Sequence, residues 1–346
     1  MKKLSAIIVS MLVFSILAIV LNLTSCKKEE NPIKFPKGTF PDSTFILTDI
    51  NSPYNDYETT NIFSTIDDID TYSNILIGNI ATVFSSDRTY TGEQYDLNQG
   101  ILTFEWDQKA GLFGLGTDIT QDAFITKLTT AANTDGDDRG PYRIFSSVDG
   151  YEYLILSSRN TSGNLDFYYL RNIPVTGSSL PAVQGPFPVK LLNTAGDDVH
   201  LSFDTNQDSA YFSSYNNDNF DIYLKSKPAD TDLTTWFNSN YSASAGVDSL
   251  NSTSDDNCPM VFRKIMVFAS NRPGGMGNFD LYYSKFKNGK WSSPVNFGPS
   301  VNTEFDEFHP VIGTHSSFTN HFIIFSSNRP GGKGLYDLYF RGVTIR

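Results

Sequence analysis

The chain has 346 residues, enough for one large domain or two modest ones, and a formal net charge of −12. No basic patch interrupts that acidity, which excludes nucleic acid as a partner, because phosphate binding needs clustered cations. Aromatic residues make up 14% of the chain amid abundant Gly, Asn, Asp, Ser and Thr, a balance that argues for many short strands joined by tight turns.

Lys2 and Lys3 precede an almost wholly apolar run, Leu4 to Leu23, and Leu23-Thr24-Ser25-Cys26 resembles a bacterial lipobox. Residues 1–25 are therefore expected to be a signal peptide, Cys26 to carry the lipid anchor (diacylglycerol and palmitate), and 26–41 to form a flexible tether. Lys27-Lys28-Glu29-Glu30 resembles the tag that sends some Gram-negative lipoproteins to the outer face of the outer membrane. Loss of Lys2 and Lys3 would make the mature chain about −14, with 24 basic against 38 acidic residues. Cys258 is the only other cysteine, so with Cys26 acylated the fold must hold without an intramolecular disulfide.

From about residue 42 the sequence repeats. "FASNRPGGMGNFDLYYSKF" (Phe268 to Phe286) returns as "FSSNRPGGKGLYDLYFRGV" (Phe325 to Val343) at an offset of 57. Aligning on the Asp that opens an aromatic strand gives five copies, at Asp96, Asp166, Asp221, Asp280 and Asp337. Upstream of each lies a strand ending in a Ser-Ser corner, with Arg88, Arg159, Arg272 and Arg329 at four of the five corners. Further upstream sits an acidic pair whose second members are Asp138, Asp198, Asp256 and Glu307, with Asp56-Tyr57-Glu58 as a degenerate fifth. The Pro-Gly-Gly loops at Pro273 and Pro330 should tie strands into hairpins, their glycines taking positive φ.

These motifs resemble the TolB-like, WD-like β-propeller repeat over about residues 42–346, closely in the last two copies and poorly in the first. The resemblance implies an all-β single propeller of four-stranded antiparallel blades. Five copies predict five blades, with a sixth hidden in the long first interval as the alternative. The last unit runs out after its third strand, so a segment near Phe45 to Thr48 is expected to pair with the strand near Asp337 to Phe340 and close the ring.

Candidate chemistry is sparse. His200, Cys258 and His309 each stand two residues after the second acidic residue, with Gly140 in the same place of an earlier unit. Turned inward, two imidazoles and a thiol could ligate zinc or a similar divalent metal; turned aside, they would be a variable slot between blades. "NTDGDD" (Asn133 to Asp138) has a faint calcium-loop look but lacks the distal glutamate of an EF-hand. A glycosidase could use a pair of central carboxylates, but acids recurring in every unit are expected to bond turn amides or the corner arginines. There is no Gly-x-Ser-x-Gly elbow.

The expectation is a non-catalytic, cofactor-free envelope lipoprotein whose propeller is a rigid scaffold, not an enzyme, with another envelope protein or a glycan as its partner. The alternative is a carbohydrate-binding or carbohydrate-active propeller with its site at the central funnel, where Trp106, Trp236 or Trp291 could stack on sugars. An axial pocket lined by carboxylates would favour the alternative; a shallow, wet axis with an apolar rim would favour a protein partner.

Overall fold

The computed structural model describes residues 35–61, 75–159, 161–174, 181–216 and 218–346. The expected signal peptide, Cys26 and the charged run after it lie outside the described residues. Among those residues no helix is long and apolar enough to cross a membrane.

Five antiparallel sheets form a five-bladed propeller. Blade 1 holds β2 (Asp56–Tyr57), β3 (Ile75–Ser86), β4 (Asp96–Asp107) and β5 (Leu112–Asp118). Helix α1 (Ala123–Ala132) leads to blade 2, with β6 (Asp138–Phe145), β7 (Glu152–Arg159), β8 (Leu165–Asn172) and β9 (Gln184–Pro188). Blade 3 holds β10 (Asp198–Phe203), β11 (Ser209–Asn216), β12 (Asn219–Ser226) and, after α2 (Leu233–Phe237), β13 (Ala245–Gly246). Blade 4 comprises β14 (Asp256–Phe262), β15 (Ile265–Ser270), β16 (Asp280–Lys287) and two short outer pieces, β17 (Lys290–Trp291) and β18 (Val295–Asn296). Blade 5 has β19 (Glu307–Gly313), β20 (His321–Ser327) and β21 (Asp337–Val343), and takes its outer strand, β1 (Phe45–Ile46), from the other end of the chain. The long first interval is thus one enlarged blade and a helix.

The expected ring closure is present: Phe45 faces Phe340 and Ile46 faces Tyr339 in antiparallel register. Residues 38–41, expected in the flexible tether, instead pack on blade 5. Phe40 is fully buried and stacks on Phe318 at 3.8 Å between centroids, its N–H donates to Asn320, and Gly342 donates to the Pro41 carbonyl. Three more rings against it, Phe113, Phe322 and Phe340, explain the difference: an aromatic ring with an apolar slot available gains more by burial than by staying in water.

Apolar burial is divided into five clusters, each filling the space between two adjacent blades, as a ring of sheets with alternating faces requires. Trp106, Trp236 and Trp291 are all buried within them and offer no sugar platform.

Polar latches join the same blades. Each connector carries an Asn-Ser/Thr-x-x-Asp/Asn-Asp/Glu run, and its Asn side chain holds both the N–H and the C=O of one residue in the third strand of the preceding blade. The pairs are Asn51 with Leu338, Asn133 with Leu97, Asn193 with Phe167, Asn251 with Ile222 and Asn302 with Leu281. The next-to-last residue of the run accepts from the amide just before the repeat Asp: Asn55 from Tyr336, Asp137 from Tyr95, Asp197 from Leu165, Asp255 from Phe220, Asp306 from Phe279. The last residue is buried and accepts from the Ser or Thr four positions earlier, as Asp256 does from the Ser252 amide and hydroxyl.

Three of these buried acids meet the corner arginine of their own blade, as expected: Asp56 with Arg88, Asp256 with Arg272 and Glu307 with Arg329. Arg159 does not follow the pattern. It stands one position earlier in its corner, directly after Ser158, and so reaches Asp137 at 2.6 Å instead of Asp138. Among the described residues Asp138 and Asp198 therefore lack a cation partner, and burial pushes both carboxyls up to about 6.

The repeat Asp closes the Pro-Gly-Gly loop: Asp280 accepts from the Met276 and Gly277 amides, Asp337 from Lys333 and Gly334. Only the first glycine of each loop, Gly274 or Gly331, takes the positive φ expected of all three. The others are needed for close approach, a Cβ on Gly334 falling 1.8 Å from the Tyr54 carbonyl oxygen of the next blade.

The missing arginine of blade 3 gives a pH-dependent prediction. In the unfolded chain Asp198 ionises near pH 4, in the folded chain near 6, so stability falls as pH rises through that interval, by about 3 kcal/mol. Asn216 occupies the position of Arg272, two residues beyond the serine opposite the buried acid. Asn216→Arg should raise the calorimetric Tm at pH 7.5 by several degrees and leave it unchanged at pH 4, where Asp198 is protonated. An equal gain at both pH values would rule out this origin.

Candidate functional site

The same slot in each blade, two residues beyond the buried acid, lies at the ring axis, and four of the five residues there turn a side chain toward it. The five are Glu58, Gly140, His200, Cys258 and His309. All five have positive φ, between 46° and 60°. In blades 2 to 5 the ladder slips at this point, between Arg139 and Tyr142, Val199 and Ser202, Asn257 and Met260, and Phe308 and Val311. A β-bulge with a left-handed residue re-aims that side chain out of the pleat, here toward the axis. Left-handed backbone costs a non-glycine residue about 1–2 kcal/mol, so four of the five blades carry strain that Gly140 avoids.

The slot resolves the two sequence readings of His200, Cys258 and His309: they converge at the axis and do not point between blades. It also adds a residue the sequence alignment missed. Glu58 was grouped with the degenerate acidic pair, whereas the pair is Asn55-Asp56 and Glu58 stands two residues after it, in the slot. The Asn five positions before the buried acid, Asn51 in blade 1, is the signal that would have set this register.

Glu58 is buried, and its two oxygens have different surroundings. Oε2 accepts from the Ser85 hydroxyl at 2.7 Å and the Gly140 amide at 2.5 Å. Oε1 faces His309 Nε2 at 2.8 Å and His200 Nε2 at 3.2 Å, and those two nitrogens are 2.9 Å apart. Cys258 Sγ lies by the other edge of the ring, 3.5 Å from His200 Nδ1. Burial opposes ionisation of Glu58, but the facing His309 and His200 rings hold its carboxyl well below the usual carboxylate range. Burial pushes His309 down, to about 4, and pushes the Cys258 thiol up.

This cluster is the floor of a funnel of about 480 Å³ on the face where the inner strands begin. Its wall presents half-buried rings of Tyr57, Phe220, Phe279, Phe308 and Tyr336, with Tyr57 and Tyr336 stacked at 4.5 Å. Between the rings stand Asp197, Asp255, Asp306, Arg139 and Arg159. Below the cluster a constriction of about 30 Å³ is walled by Pro141, Pro259, Pro310 and Met260.

The wall acids differ in how fully they are used. Asp255 and Asp306 give their second oxygens to Asn271 and Asn328 at the blade corners, but blade 3 has Tyr215 there. Among the described residues the Asp197 carboxylate accepts only from the Leu165 amide, at 2.8 Å, so one oxygen is left for the funnel. The calcium-like run at 133–138 is the blade 2 connector, where Leu97 engages the Asn133 oxygen, Tyr95 and Arg159 the two Asp137 oxygens, and Thr134 one Asp138 oxygen.

No protein-family model and no curated protein sequence matches the chain. Among solved structures it is similar to a thermostable family-43 glycoside hydrolase (TM-score 0.49, 11% identity, covering 87% of this chain and 94% of that one). It is also similar to an alpha-L-arabinofuranosidase from Podospora anserina solved with cellotriose (0.47, 14%, 89% and 98%) and to an endo-arabinase from Bacteroides thetaiotaomicron (0.46, 11%, 87% and 98%). At these identities the likeness is one of fold. The expectation of a non-catalytic scaffold that is not an enzyme is corrected on the chain's own geometry: its axis is a funnel lined by rings and carboxylates instead of a shallow one with an apolar rim. The carbohydrate alternative is the one retained.

Proposed function

We infer that the protein is a carbohydrate-active propeller that takes the end of a glycan into its axial funnel. The observation that carries this reading is the wall itself, where half-buried aromatic rings alternate with carboxylates and guanidinium groups. A sugar offers apolar C–H faces to rings and hydroxyls to charged acceptors and donors, and needs both at once. Glycoside hydrolysis further requires a carboxyl group free to exchange a proton with the scissile oxygen or with water. Asp197 is placed for that role because only one of its oxygens is committed to the fold. The lipobox at Cys26 supports a lipid-anchored location in a Gram-negative envelope, and the packing of residues 38–41 on blade 5 would hold the anchor at the ring's seam.

The test is a panel of arabinan, xylan and other plant and bacterial polysaccharides, read by reducing-end release and by calorimetric binding. Tyr336→Ala should weaken binding about tenfold by removing a stacking ring, and Asp197→Asn should abolish release while leaving binding within about threefold. Full release by the Asp197→Asn variant would remove Asp197 from the chemistry. Absence of any sugar binding by the unaltered chain would refute the reading itself.

A further inference from the structure

We propose that the floor of the funnel is a binding site for one divalent transition metal of the zinc class, held by Glu58 Oε1, His200 Nε2 and His309 Nε2. The site is independent of the glycan reading.

The Cys258 amide donates to Asn257 Oδ1 at 2.8 Å, and a backbone N–H can only donate, so that atom is the amide oxygen. The same oxygen lies 2.9 Å from His200 Nδ1, which must therefore carry the ring's hydrogen. A neutral His200 is then bare at Nε2. That bare nitrogen faces Glu58 Oε1, an acceptor, and His309 Nε2. His309 Nε2 completes the group, so two imidazole nitrogens and a carboxylate oxygen, 2.8, 2.9 and 3.2 Å apart, converge on one point at the axis. Buried acceptors turned on one another are costly, and a cation among them satisfies all three at once.

The dimensions agree. Ligand atoms about 2.0–2.1 Å from a tetrahedral metal lie about 3.3 Å apart, so the three atoms need to spread by only a few tenths of an ångström. Two imidazoles and a carboxylate are a donor set suited to zinc and its neighbours, leaving one position open, here toward the funnel or the constriction.

Two of the three ligands have the supporting contacts of a metal centre, while His309 Nδ1 is buried with no hydrogen-bond partner among the described residues. Asn257 fixes the His200 tautomer from the far side of the ring, and Ser85 with Gly140 ties down the carboxylate oxygen that does not face the histidines. Each ligand comes from a different blade and from a left-handed backbone position that aims it at the axis. This revises the donor set expected from sequence. Cys258 sits by Nδ1, the wrong edge of His200, and Glu58 takes its place.

The test uses the full chain, stripped with chelator, dialysed against zinc and then against buffer, with retained metal counted by elemental analysis. One equivalent should remain in the unaltered protein and in Cys258→Ser, and less than about a tenth of that in Glu58→Gln and in His309→Ala. With cobalt in place of zinc, the unaltered protein should show visible d–d bands without a thiolate charge-transfer band, a readout that needs no variant to fold. No retained zinc, retention unchanged in both ligand variants, or a strong thiolate band would each overturn the assignment.

Discussion

Phe40→Ala is expected to destabilise the protein by about 3–5 kcal/mol, far more than a residue ahead of the first blade would ordinarily cost. The ring stacks on Phe318 and meets Phe113, Phe322 and Phe340 edge-on, all across the seam between blades 5 and 1. Its loss leaves a cavity where the closure of the propeller depends on a two-residue strand. Five residues away, Phe45 belongs to that strand but is over a third exposed, and Phe45→Ala should cost less than about 1 kcal/mol. Urea unfolding of the two variants, side by side, checks the difference; similar midpoints would mean that the seam is held by strand pairing alone.

Asp256→Ala is the second large effect, about 3–5 kcal/mol at pH 7. It removes the acceptor for the Ser252 amide and hydroxyl and strands the Arg272 guanidinium, whose side chain is 16% exposed, beside the Leu250 carbonyl. The same change in blade 3, Asp198→Ala, should cost clearly less, because that carboxylate has no arginine and its own ionisation at pH 7 already works against the fold. Equal losses in chemical denaturation would show that the arginines contribute little.

The blade count, the ring closure and the structural use of the acidic residues were legible because each rests on a pattern repeated several times along the chain. Legibility failed where a unit departs from the pattern by one residue. Arg159 reads as a fourth corner arginine, yet in a strand a one-place shift turns a side chain to the other face, and its partner changes from Asp138 to Asp137. Glu58 escaped for a similar reason, since its blade carries Asn55 where the others carry an acid.

The axial site was half visible. Equal spacing announced that His200, Cys258 and His309 are equivalent, but spacing carries no direction. Direction is set by a bulge with left-handed backbone, for which Gly140 and the prolines at 141, 259 and 310 were the only sequence traces. Phe40 left no trace of its burial, because the flanking Pro36, Gly38 and Pro41 read as linker.

The inner strand of every blade separates two duties between residues that are neighbours in sequence. Side-chain latches to the adjoining blade belong to the connector's asparagine and next-to-last residue, while the slot two places beyond the buried acid faces the axis. Architecture and chemistry are thereby written in different letters of one short word. Evolution, or a designer, could rewrite the lining of such a propeller one blade at a time, in up to five independent edits, and leave its frame intact.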